Sequence, residues 1–197
     1  MFRSFHHRWL SLLLVKAFLM GSPAYSSTLS AEKSPLWKEV AGWDVRVDES
    51  LADSCFIFRV YEGETILRVG FNKLAGNSYL MLGDKDWASL EEGKTYDLIF
   101  QFDREEPWVG RATAIDFQTL VGLWMNIDEP EFLRDLAERH VLAIGYRGIS
   151  VARLSLAGSY AALMEMVNCQ ELVDEARGNV DPFKPESHRN EGDPFAM

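Results

Sequence analysis

Cysteine is nearly absent from this 197-residue chain, which has only Cys55 and Cys169. Neither belongs to a CxxC pair or a setting that lowers a thiol pKa, so cysteine catalysis is excluded. Histidine is almost as scarce: His6, His7, His140 and His188 are the full set. The first two lie in an N-terminal targeting segment and His188 lies near the C-terminus. One histidine in the fold cannot supply a histidine-based zinc site. A Ser-His-Asp triad would rest on His140 alone, at a helix end with no nucleophile elbow nearby. Glycine-rich phosphate loops are missing, because the GYRG of residues 145–148 reads as a hairpin turn. No βαβ alternation is visible, and no internal repeat of about 20–50 residues. Positive charge is also in deficit, with 20 Lys and Arg against 30 Asp and Glu and a formal net charge of −10. Such a chain is unsuited to binding nucleic acid through phosphate neutralisation, and anionic lipid surfaces repel it. No cofactor is indicated.

Only one long apolar run is present, and it is at the start. Arg3 and Arg8 form a positive region, residues 9–20 are apolar, and Gly21, Ser22 and Ala24 offer small residues for cleavage. This reads as a signal peptide over 1–24, cut after Ala24 with Ser26 as the fallback. Lys16 interrupts the run, and an uncleaved anchor is the alternative. Cleavage removes Arg3, Arg8 and Lys16 and no acid, which moves the formal charge from −10 to −13. No later segment approaches ~20 apolar residues, so stable membrane insertion is not expected after cleavage. The expected location is the periplasm or the exterior. There, two cysteines point to one disulfide, Cys55 to Cys169, with a pair of buried thiols as the alternative. Closing so long a loop is worth about 4–5 kcal/mol.

Residues 25–36 read as a flexible lead-in and 37–171 as the folded domain. Apolar residues make up 47% of the chain, enough for a core. Alternating or β-branched stretches predict strands over 43–48, 55–61, 65–71, 78–82, 95–102, 109–117, 120–126, 141–146 and 149–154. Gly70 suggests a bulge, and Trp87 and Leu90 suggest a loop packed on the core. A short helix is predicted after Asp128, with Asp128 as cap, Pro130 in the first turn and Glu131 closing the box. His140 falls near its end. A last helix over 158–171 would turn Tyr160, Leu163, Met164 and Val167 inward, with Ala161 and Ala162 allowing close approach. Residues 172–197 are acidic and poor in large apolar side chains, which reads as a disordered tail. It repeats Asp-Pro-Phe at 181–183 and 193–195, a pattern that suits bivalent docking. The fold class is mainly β: an antiparallel sandwich or open barrel of about eight strands, with a C-terminal helix closing one end.

Two acidic turns are candidate sites. Asp84 and Asp86 lie in one, and Asp103, Glu105 and Glu106 in the other. Calcium binding or glycosidase-style acid–base work needs such oxygens, though solvated turns also carry them. Trp108 follows Glu106 and Pro107 at a hairpin tip. Exposed, it would anchor a protein interface; folded back, it would be core.

Residues 154–163, LSLAGSYAAL, resemble the C-terminal end of the invasion-associated locus B family. Those are small exported β-rich proteins that end in a strand, a Ser-Leu-x-Gly turn and an Ala-rich helix. The resemblance implies an envelope protein with no catalytic residues to carry over. The combined reading is a non-enzymatic periplasmic domain that binds a protein or envelope component; its acidic surface serves solubility or, alternatively, a basic partner. The alternative is an inhibitor of a toxin, protease or lysozyme-like enzyme, inserting residues 83–87 or 103–108. A carboxylate-based hydrolase would need two acids facing one concave pocket.

Overall fold

Along Thr95–Phe102 the side chains alternate between solvent and core without exception, because successive residues of a strand face opposite sides. The computed structural model describes residues 34–117 and 120–178. The expected signal peptide, most of the lead-in and the Asp-Pro-Phe motifs lie outside those residues. Ten strands follow in order: β1 (Leu36–Val40), β2 (Trp43–Asp48), β3 (Ser54–Val60), β4 (Ile66–Asn72), β5 (Asn77–Gly83), β6 (Thr95–Phe102), β7 (Trp108–Asp116), β8 (Val121–Ile127), β9 (Val141–Tyr146) and β10 (Ile149–Ser155). Helix α1 (Pro130–Glu138) connects β8 to β9, and α2 (Ser159–Gly178) follows β10.

The class is mainly β, as expected, and of the two expected arrangements the strands take the open one: a single antiparallel sheet of ten strands rather than a sandwich of two. Its order is β1-β2-β3-β4-β5-β8-β7-β6-β9-β10. The strand missing from the sequence reading is β1, whose side chains are nearly all exposed. One buried cluster joins Val45, Ile57 and Leu80 from one half of the sheet to Leu98, Phe100 and Ile144 from the other. The sheet therefore curls on itself to bury its inner face. Its ends meet through side chains: Trp43 Nε1 and Arg59 donate to the Ala157 carbonyl at 3.0 and 2.9 Å, and the Tyr61 hydroxyl donates to that of Ser155 at 2.8 Å.

Strands β3, β4 and β5 are buried on both faces, which explains their unbroken apolar runs. A second, smaller cluster covers their outer face: Phe56, Phe58, Ile66, Tyr79 and Met81, with Leu51, Phe117, Leu120 and Trp124 packed around them. Arg68 is buried there as well. Its guanidinium lies 3.7 Å over the Phe56 ring, donates to the Tyr79 hydroxyl at 2.5 Å and pairs with Asp48.

Gly70 marks no bulge, for its register with β3 and β5 is continuous. Glycine is needed there because a Cβ would lie 2.5 Å from that of Phe56. Gly70→Ala is expected to destabilise the domain by about 1–3 kcal/mol, read from the shift of its urea midpoint. An unchanged midpoint would mean that the strands separate freely.

Helix α1 begins one residue later than its expected cap. Glu129 is the N-cap and makes no side-chain capping bond, while Asp128 accepts from the Asn77 amide at 3.3 Å. Helix α2 runs seven residues past Glu171, to Gly178. It also turns a different face inward. Ala162, Leu163, Met166 and Cys169 are buried, whereas Tyr160, Met164 and Val167 are exposed. The Cys55–Cys169 disulfide, with its Cα atoms 6.2 Å apart, lies on this inward face.

Candidate functional site

The antiparallel ladder opens between β7 and β8. Strands β7 and β8 pair only over Thr113–Asp116 and Val121–Trp124. Beyond Thr113 and Trp124 they separate. The first part of β7 continues along β6 as far as the Trp108–Phe100 pair. The last part of β8 stays on β5 as far as the Ile127–Ser78 pair. Asp128, held by Asn77, then leads the chain into α1. A cleft of about 330 Å³ fills the opening, walled by both strands and by Asp128 and Glu129.

Its floor is apolar. Phe132 of α1 and Met125 are buried beneath the gap. Gly110 lies directly over Met125, where any Cβ would collide with the sulfur. Trp108 forms one wall. Its ring meets Phe132 edge-on, with centroids 5.7 Å apart, and its indole N–H donates to Asp135 at 3.0 Å. This tryptophan is half-buried and fixed: it packs on the core and presents one side to the cleft. Trp124 stands where the strands part, stacked on Tyr79 at 4.0 Å and donating to Asn126 at 3.0 Å.

The acidic turns are elsewhere. Asp84 is buried, and its carboxylate accepts from the Thr65 hydroxyl at 2.6 Å and the Asp86 N–H at 2.9 Å. Asp86 itself is exposed. Asp103 accepts from the N–H groups of His140 at 3.1 Å and Val141 at 2.9 Å. Partial burial opposes its charge, but these backbone donors outweigh that and hold the carboxyl below its ordinary value. Glu105 pairs with Arg139 at 2.9 Å, and Glu106 is exposed. Asp84 follows β5 at the Gly83–Gly122 end of the sheet. Asp103 follows β6 at the opposite, Trp108 end. The two turns do not face one pocket. Among the described residues no cluster of three or more His, Cys, Asp or Glu side chains is arranged to hold a metal ion.

Of the candidate site residues Asp84, Asp86, Asp103, Glu105, Glu106 and Trp108, only Trp108 lines the cleft. Val109, Arg111, Asn126, Asp128 and Glu129 join it through the path of the strands. The sole sequence signal for them is that the strand ending at Ile127 runs into an acidic helix start.

The fold is similar to that of the invasion-associated protein B crystal structure from Bartonella henselae. The TM-score is 0.50 at 15% identity, over 68% of this chain and 97% of that one. This likeness is one of fold, and it is to the family that residues 154–163 resemble. No protein-family model and no curated protein sequence matches the chain.

Proposed function

We propose that this protein is a non-enzymatic periplasmic domain that binds another protein through the cleft between β7 and β8. The observation that carries the reading is the opening of the ladder over an apolar floor beside a fixed tryptophan wall. Antiparallel strands normally pair along their whole shared length, because unpaired backbone groups at a strand edge invite another chain. Aromatic side chains held rigidly at the centre of a concave patch suit a protein interface. The disulfide and the N-terminal apolar run support export. The fold likeness to an invasion-associated protein supports an envelope role. Asp128 and Glu129 at the rim, with the chain's net charge of −10, favour a basic partner. An inhibitory role is the case in which that partner is an enzyme.

A photoreactive amino acid at Val109, which is 76% exposed, tests this in cells of the source organism. It is expected to trap a defined protein that the same residue placed at Ile149 does not. Reversing the rim charges with Asp128→Lys and Glu129→Lys should cut the yield about tenfold. Identical products from both positions, or a yield indifferent to the reversal, would remove the cleft from consideration.

A further inference from the structure

We infer that the cleft is a strand slot: it takes an extended, basic polypeptide segment that hydrogen-bonds to the free edge of β7. This rests on the protein-binding reading above and specifies how the partner is held.

The backbone groups of β7 that face the opening follow from its pairing with β6. Ala114 donates its N–H to the Lys94 carbonyl at 2.9 Å and accepts at its own carbonyl from the Gly93 N–H at 2.8 Å. Both groups of Ala114 therefore point toward the β6 side. In an antiparallel strand, alternate residues direct their N–H and C=O to opposite neighbours. Ala112 and Gly110 consequently point to β6, as their pairing with Tyr96 and Leu98 requires. Val109, Arg111 and Thr113 point to the β8 side. Thr113 finds Trp124 there. For Val109 and Arg111 the ladder has ended, and among the described residues their backbone groups have no partner strand on that side. On the facing wall the same alternation turns Asn126 toward β7, because Trp124 pairs with Thr113 and Met125 pairs with Leu80 of β5. Had the ladder continued, Arg111 would oppose Asn126.

The occupant follows from what surrounds these groups. Two residues spaced by one, each offering an N–H and a C=O, match a single extended segment and no helix. The segment is placed antiparallel to β7, the pairing in which Val109 and Arg111 each exchange both bonds with one facing residue, as the register opposes Thr113 to Trp124. Alternate side chains of the segment face the buried Phe132 and Met125, so every second residue is apolar. The charged groups on the walls are Asp128, Glu129 and Arg111. Arg111 is paired with Asp97 at 3.2 Å, and Asp128 holds Asn77. The balance is negative, so the side chains of the segment that reach the rim are Lys or Arg.

The test uses the whole disulfide-bonded protein and an acetylated Lys-Val repeat octapeptide. In the free protein, the amide protons of Val109 and Arg111 should exchange with solvent much faster than those of Gly110 and Ala112. Saturation with the peptide should slow Val109 and Arg111 at least about tenfold. The same peptide N-methylated at its lysines should bind at least about tenfold more weakly, since the residues that face Val109 and Arg111 share their outward side and give their N–H groups to β7. A Glu-Val repeat should not compete. Failure to bind at concentrations up to about 1 mM overturns the strand slot. So does binding that leaves Val109 and Arg111 unprotected, or an N-methylated peptide that binds equally. A Glu-Val peptide that binds as well as Lys-Val overturns the basic preference. If the crosslink from Val109 still names a partner after any of these, protein binding stands and the strand slot falls. If the peptide binds as expected but no crosslink forms, the slot stands and the cellular reading falls.

Discussion

Replacing Cys169 with serine is expected to lower the unfolding free energy by about 4–5 kcal/mol, read from chemical denaturation of the oxidised protein. The bond closes a loop with a sequence separation of 114 and ties α2 to β3. Its main effect is on the unfolded chain, which loses freedom when the two points are joined. In the folded state the helix has other anchors. The Cys55 N–H donates to the Gln170 side chain at 2.8 Å, and Arg177 pairs with Asp53. Ala162, Leu163 and Met166 stay buried against the sheet. The serine variant should therefore keep its helical circular dichroism in native buffer while unfolding at a much lower denaturant concentration. The Cys55→Ser, Cys169→Ser double variant should lose about as much as the single one. A loss below about 1 kcal/mol, or a helix signal that disappears with the bond, would contradict this account.

Asp48→Asn is expected to cost about 3 kcal/mol, because it strands a buried guanidinium without its counter-charge. Arg68 and Asp48 are 8% and 13% exposed at their side chains, so water does little to replace the lost partner. Burial works against the charge on Asp48. The Ser50 hydroxyl and N–H, at 2.5 and 2.9 Å, and the Arg68 guanidinium outweigh it and hold the carboxyl below its ordinary value. A depressed folded-state pKa means that the stabilisation is present above the unfolded value, near ~4. It is lost as the pH falls through the folded value. The wild type should accordingly lose stability below about pH 4 more steeply than Asp48→Asn. Adding Arg68→Met to Asp48→Asn should restore at least half of the loss, since an apolar side chain needs no counter-charge there. An equal loss in the single and double variants would show that the packing of the 3-10 turn Glu49–Leu51, and not the charge, holds this face.

Much of the fold was legible because local rules agree with the global one. The strict alternation of Thr95–Phe102 and the Arg147-Gly148 turn, with both residues at positive φ, need only neighbouring residues to be understood. Where local rules are silent, the reading failed. Leu36–Val40 lies at a sheet edge with both faces largely in solvent, so no alternation was imposed on it. The inward face of α2 was misjudged because its apolar residues surround the helix. Tyr160, Met164 and Val167 compete with Leu163 and Met166, and the choice between them rests on long-range partners: the bond to Cys55, the Gln170 contact with the Cys55 N–H and the Arg177–Asp53 pair. Trp108 was picked out by its bulk and its place beside a turn. Its partner Asp135 lies 27 positions away, and no spacing rule connects them.

The sequence by itself determined the mainly β class, nine of the ten strands and the pairing of the two cysteines, because hydrophobic period and cysteine count act locally or by number. Tertiary structure alone decided the cleft. Each of β7 and β8 looks like an ordinary strand, and nothing in either one records where its neighbour stops. The divergence arises because β7 follows β6 while β8 follows β5 into α1, with Phe132 and Met125 filling the space beneath. A free strand edge is a relation between two neighbours, and it exists only once both have been placed.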